Sequence, residues 1–143
     1  MKILIHNYSD ELQMAEAALR MLVIWIVRQL NLNVTSADII LTDDDSLQKL
    51  HKEYLDDDSF TDVMTFNLAD SDSIEAEIYV SKDRVKQHAS RFKTTISKEM
   101  VRVIVHAFLH LAGFNDQTGK ERKIMKSKEE HYLSQAEGIF TGH

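Results

Sequence analysis

Ile3 and Ile5 recur at period two within Lys2 to Tyr8, which predicts a short strand at the start of the chain. Ser9 or Asp10 then offers a helix cap, with Glu11 beside the positive end of the dipole, and the helix runs to about Leu30. Its middle, Met21 to Val27, is apolar nearly all round, so this helix is expected at the centre of the fold. Leu32 to Thr42 reads as a second strand through Ile39, Ile40 and Leu41. Asp43 to Ser46 breaks it and can cap a short helix from Leu47 to Tyr54. A loop from Leu55 to Phe60 leads to a third strand, Asp62 to Leu68. Glu75 to Ser81 forms a fourth, with Ile78 and Val80 on one face. Helical patterns follow at Asp83 to Phe92, Ser97 to Ala112 and Lys120 to about Glu137. Strands first and helices afterwards predict an α+β fold, a single mixed sheet of about four strands covered by about five helices. The whole chain, 1–143, reads as one domain.

Composition narrows the chemistry. There is no proline and there are only four glycines, so turns rest on Asp, Asn and Ser clusters. At 143 residues, with 43% apolar and 28% charged, the chain can bury a core and is not a disordered tract. The absence of cysteine excludes disulfide scaffolds, thiol nucleophiles and cysteine-ligated zinc, and it fits a reducing compartment. The apolar run between Arg20 and Arg28 falls far short of the ~20 residues a bilayer span needs. Asp10 and Glu11 arrive too early for a secretory signal. A soluble, cytoplasmic protein with no membrane partner is expected.

The net charge of −6 hides a split. Residues 1–80 carry five Lys and Arg against sixteen Asp and Glu, and residues 81–143 carry twelve against seven. The basic part is either a solvated helical surface or a local footprint for phosphate. In the second reading Lys82, Arg84, Lys86, Arg91, Lys93 and Arg102 would line a nucleic-acid path.

The segment with the most chemistry is His106-Ala107-Phe108-Leu109-His110-Leu111-Ala112-Gly113-Phe114-Asn115-Asp116. His106 and His110 are four apart on a predicted helix, so both imidazoles lie on one face and can converge on one ion. Gly113 can end that helix in a left-handed turn that brings Asp116 back towards them. Two histidines and a carboxylate leave a fourth position open, as catalytic zinc sites do. The competing reading is a pair of satisfied imidazoles on an amphipathic helix. Where zinc peptidases carry a glutamate after the first histidine, Ala107 stands, which argues against peptidase chemistry.

This segment resembles the HGxLHLxGYxH signature of the YbeY family of bacterial rRNA-maturation metalloendoribonucleases. Three further stretches are similar in the family's order. Leu50 to Tyr54 with Thr61 to Phe66 is like its LNxxYR…TDVLSF block, Ala76 to Ser81 like its GDIxIS strand, and Met125 falls near the methionine after its metal motif. The likeness covers roughly residues 35–133. It implies a compact α+β fold with the metal site on a helix of the C-terminal half and the following turn. It further implies one zinc ion per chain on three ligands, here His106, His110 and Asp116, and single-strand-specific RNA hydrolysis. Processing of the 3′ end of small-subunit ribosomal RNA, ribosome quality control, and contacts with small-subunit ribosomal components are implied as well. This chain departs from the family at Asp116, in place of a third histidine, at Leu55, in place of an arginine, and at Ala76 and Ala107, in place of glycines. A proline before Thr61 is also missing.

Asp62 can accept the free N–H of a ligand imidazole or simply cap its strand. His131 is a substitute ligand candidate, whereas His6, His51, His88 and His143 lack partner spacing and read as surface. Trp25 reads as core packing. No residue stands out as a general base. The alternatives are a metal-dependent hydrolase of another class, such as a peptidase, or a ribosome-assembly binding protein with a structural metal.

Overall fold

The computed structural model describes residues 1–55, 61–137 and 139–140. Most of the 55–60 loop and His143 lie outside the described residues. Four strands, β1 (Lys2–His6), β2 (Val34–Thr42), β3 (Val63–Asn67) and β4 (Ile74–Ser81), form one sheet in the order β1-β2-β4-β3. β1, β2 and β4 run parallel, and β3 returns antiparallel along β4 as the sheet edge. Among the described residues five α-helices accompany it: α1 (Glu16–Gln29), α2 (Asp44–Leu55), α3 (Lys82–Arg91), α4 (Ile96–Leu111) and α5 (Gly119–Ala136). The mixed α+β architecture expected from the sequence is therefore what forms.

Strand alternation sets the core. Ile74, Ala76, Ile78 and Val80 of β4 are buried at period two, as are Ala37, Ile39 and Leu41 of β2. Val34 is buried too, out of step by one residue, because the β2 register shifts between Val34 and Ser36.

Two expectations are corrected. The first helix does not run unbroken from Asp10. Ser9 Oγ accepts the Glu11 N–H and caps only a 3-10 turn, Asp10–Leu12, after which Gln13 takes a left-handed φ of 52°. That break lets Leu12 and Met14 both reach the core. Nor is α1 the central helix: Met21 is exposed, whereas α4 buries residues almost all round. α4 touches α1, α3, α5, β3 and β4. The stripe it does not bury apolarly holds Arg102, His106 and His110.

Gly113, at φ 102°, ends α4. Its N–H bonds to the His110 carbonyl and that of Phe114 to the Leu109 carbonyl, the paired bonds of a left-handed helix stop. Four residues beyond Phe114, Thr118 and Glu121 form a reciprocal cap that starts α5. Asp116 sits in the short link between these two stops. Trp25 of α1 packs against Tyr132 and Phe140, at ring distances of 6.3 and 5.7 Å, and so fastens the last helix to the first.

Candidate metal centre

One turn of α4 separates His106 from His110, and the helix stop carries Asp116 back over them. The two Nε2 atoms lie 3.1 Å apart, and Asp116 Oδ2 lies 3.6 Å from the first and 3.4 Å from the second. Four ligands arranged tetrahedrally around zinc at ~2.0–2.1 Å stand about 3.3–3.4 Å from one another. The donor triangle therefore has the dimensions and the N,N,O chemistry that a zinc-sized ion requires.

Glu129 of α5 fixes the first imidazole. His106 Nδ1 donates to Glu129 Oε2 at 2.6 Å, which leaves its Nε2 as the lone-pair side facing the triangle. Burial alone would lower the His106 pKa, but the hydrogen bond and charge of Glu129, helped by Asp62, outweigh burial and raise it. Carboxylate support of this kind orients a ligand histidine and increases its basicity.

Behind Glu129 lies Arg102. Its guanidinium reaches Glu99 at 2.6 Å, Asp62 at 2.9 Å and Glu129 at 3.4 Å. Glu99 is 4% exposed, so this arginine neutralises carboxylates that would otherwise be costly to bury. Burial opposes its charge, yet the hydrogen bond and charge of Glu99, with Asp62 and Glu129, raise its pKa further.

Asp62 thus accepts from Arg102. Among the described residues the carboxylate bonded to an imidazole of the triangle is Glu129. Sequence reasoning missed Glu129, although it sits one helical turn after the buried Met125 and so on the inward face of α5. His88, expected at the surface, is partly buried: its Nδ1 is enclosed, without a hydrogen bond, 3.7 Å from Asp62 and 3.6 Å from Glu99. Asp62, His88 and Glu99 are a second group with ligand-like spacing, but Arg102 already donates to both of its carboxylates.

The triangle opens into a cleft of about 470 Å³ lined by His51, Leu55, Thr61 to Phe66, His106, His110 and Asp116. His51, expected at the surface, is one of its walls. His131 is exposed on α5, its ring against Tyr132, apart from the triangle.

Four of the six cations named for a nucleic-acid path are paired with carboxylates. Lys82 and Lys86 both bind Glu11, at 3.3 and 2.9 Å, Arg84 binds Asp44 at 3.0 Å, and Arg102 is held as described. Arg91 lies over the ring of Phe92. Several of these cations are spent joining elements of the fold.

The comparisons with known proteins agree with one another. Residues 4–137 match the family model described as Endoribonuclease YbeY. The Endoribonuclease YbeY of Amoebophilus asiaticus is 33% identical over 133 residues, 90% of each chain. That of Chlorobium phaeovibrioides is 34% identical over 133 residues, 93% of this chain and 89% of its own. That of Christiangramia forsetii is 34% identical over 113 residues, 77% and 79% respectively. The solution structure of TM1509 from Thermotoga maritima superposes with a TM-score of 0.64 at 30% identity, covering 96% of this chain and 89% of that one.

Proposed function

Because the chain belongs to the YbeY endoribonuclease family, we propose that it is a zinc-dependent endoribonuclease that hydrolyses single-stranded RNA, with His106, His110 and Asp116 holding one ion per chain. The observation that carries the metal is the 3.1–3.6 Å triangle of two Nε2 atoms and one carboxylate oxygen at the base of an open cleft. The biological reading is maturation of the 3′ end of small-subunit ribosomal RNA and ribosome quality control. It would take place in the cytoplasm beside small-subunit components, with residues 1–143 acting as one domain. Among the described residues no helix is long and apolar enough to cross a membrane.

A divalent ion at this position would supply Lewis acidity, lowering the pKa of water towards ~7 and offsetting charge on a phosphate. The protein does the rest by position. Glu129 keeps the His106 proton on Nδ1, and Arg102 places its guanidinium 3.4 Å from the same carboxylate. Asp116 contributes a negative charge where the family pattern has a neutral imidazole. Ala107 is fully buried and cannot move a proton, which disfavours the peptidase alternative. The second alternative, an assembly protein with a structural metal, is disfavoured by the open cleft at the triangle, since structural zinc sites are closed.

The test is cleavage of single-stranded RNA, a peptide and a small phosphodiester by zinc-loaded and metal-stripped protein. RNA cleavage that needs zinc, and that is lost in His106→Ala, His110→Ala and Asp116→Ala with secondary structure intact, is expected. Peptide cleavage with RNA untouched would overturn the nuclease reading. Stoichiometric zinc in Asp116→Ala would move the third ligand elsewhere.

A further inference from the structure

We propose that the exposed ring of Tyr54, braced by Phe66, is a stacking platform that seats one unpaired base of an RNA strand at the mouth of the metal cleft. The inference rests on the RNA-cleaving reading above and adds the subsite that would hold the strand.

The shape of the cleft comes first. Six consecutive residues, Thr61 to Phe66, line it. Four of them, Val63 to Phe66, belong to β3, whose successive side chains point to opposite faces, so a cleft that meets all four runs along the free edge of β3. Val63, in register with the buried Val80, belongs to the core face that α4 covers, whereas Phe66, in register with Glu77, meets Tyr54 of α2 on the other face. A chain entering the cleft therefore passes between the triangle and the end of α2.

Charge does not explain how an RNA would be held there. The described residues lining the cleft include no Lys or Arg. Lys82, Lys86, Arg84 and Arg102 are engaged with carboxylates. Beside the polar His51, Thr61, Asp62 and Thr65, the cleft carries the apolar and aromatic surface of Leu55, Val63, Met64 and Phe66. Tyr54 is 60% exposed and Leu55 61%, unusually open for large side chains placed next to each other.

The ring of Tyr54 is also supported. It meets Phe66 at 5.4 Å and 62°, and Phe66 meets Tyr79 at 5.9 Å and 86°. The Tyr79 hydroxyl donates to Glu77, which anchors the last ring on β4. An edge-to-face contact covers at most one face of Tyr54, and its exposure leaves the other open. A braced aromatic face beside a hydrolytic site fits a nucleobase, because every base has a π-face and stacks without regard to sequence. It also selects for strand state. A base inside a duplex already has both faces covered, whereas an unpaired base can be splayed onto a side chain.

Base–aromatic stacking is worth about 1–3 kcal/mol per base, or roughly a 5- to 150-fold change in affinity. The experiment uses the full chain with a single-stranded RNA oligonucleotide carrying 2-aminopurine. Dissociation constants and fluorescence quenching are read with chelator present, and KM and kcat of the zinc-loaded enzyme are read on the same sequence unmodified. Wild type and Tyr54→Phe are expected to quench the probe. Tyr54→Ala and Tyr54→Leu, the second keeping apolar bulk at an exposed site, should lose quenching and bind about 5- to 150-fold more weakly. Their KM should rise while kcat stays near wild type. A duplex of the same sequence should bind all four proteins equally. If Tyr54→Leu binds and quenches like wild type while wild type cleaves RNA, the platform is overturned and the nuclease reading stands. If wild type neither binds nor cleaves RNA, both fall.

Discussion

Replacing Glu129 by Gln changes one charge and almost no volume. In the native protein Glu129 Oε2 accepts from His106 Nδ1 at 2.6 Å, and Oε1 faces Arg102 at 3.4 Å. The glutamine carbonyl can still accept from one of these donors, so the imidazole keeps its tautomer but loses a charge-assisted bond, about half the strength of the contact. Loss of a carboxylate behind a ligand histidine typically lowers metal affinity 10- to 100-fold, or about 1.4–2.7 kcal/mol. A second effect opposes it. Without the Glu129 charge the His106 pKa falls, so less proton competition resists metal loading at acidic pH. The weaker ligand dominates where His106 is already neutral, and proton competition matters only below that range. The expected result is a 10- to 100-fold loss of zinc affinity at pH 8 that narrows at pH 6, read by competition with a chromophoric chelator. Equal zinc affinity of Glu129→Gln and wild type at pH 8 would refute the claim that Glu129 supports the site.

Arg102→Met strands three carboxylates, one of them almost fully buried. Removing one partner of a buried ion pair costs about 3–5 kcal/mol, and with Arg102 30% exposed on its side chain the lower end applies, visible as a reduced urea midpoint. Glu11, hydrogen-bonded by Lys86, Ser9 and Lys82, is held down to about 2. A lowered carboxyl pKa gives stability that is present above the ordinary value near 4.5 and lost as pH falls through about 2. Carboxyl-carbon NMR should place its midpoint there, with Lys86→Ala moving it up. Leu55→Arg restores a cation at an exposed rim position, so RNA cleavage should increase with zinc content unchanged. The salt dependence of binding should steepen by about 0.7 in log–log slope. A Leu55→Arg variant with wild-type salt dependence would show that this rim does not meet phosphate.

Local pattern carried the elements well, because their signals are local. The four strands and the last three helices stand within a residue or two of where period and caps put them, and the four-residue spacing of His106 and His110 was enough to set them on one face. What depends on distant packing was hidden. Nothing between Ser9 and Glu16 advertises a break, since neither Gly nor Pro marks it, and only the burial of both Leu12 and Met14 explains the left-handed Gln13. Arg102 looked like part of a basic surface because sequence shows a charge and not its partners. Yet Glu99, Arg102, His106 and His110, at spacings of three, four and four, form one polar stripe on an otherwise buried helix. That stripe was the available sign that Arg102 turns inward. Glu129 lies on another helix, and its tie to His106 depends on how α5 docks.

That docking has a consequence for the order in which the protein matures. A chain is made from its N-terminus, so the two histidines and Asp116 emerge before Glu129, and Glu129 before Phe140. Helix α5 is fastened at its far end by Tyr132 and Phe140 against Trp25, a residue made more than a hundred positions earlier. Until Tyr132 and Phe140 have met Trp25, nothing at that end of α5 holds Glu129 against His106. A chain cut before Tyr132 would carry every proposed ligand yet lack both aromatic contacts that fasten α5, so it is expected to hold an ion poorly.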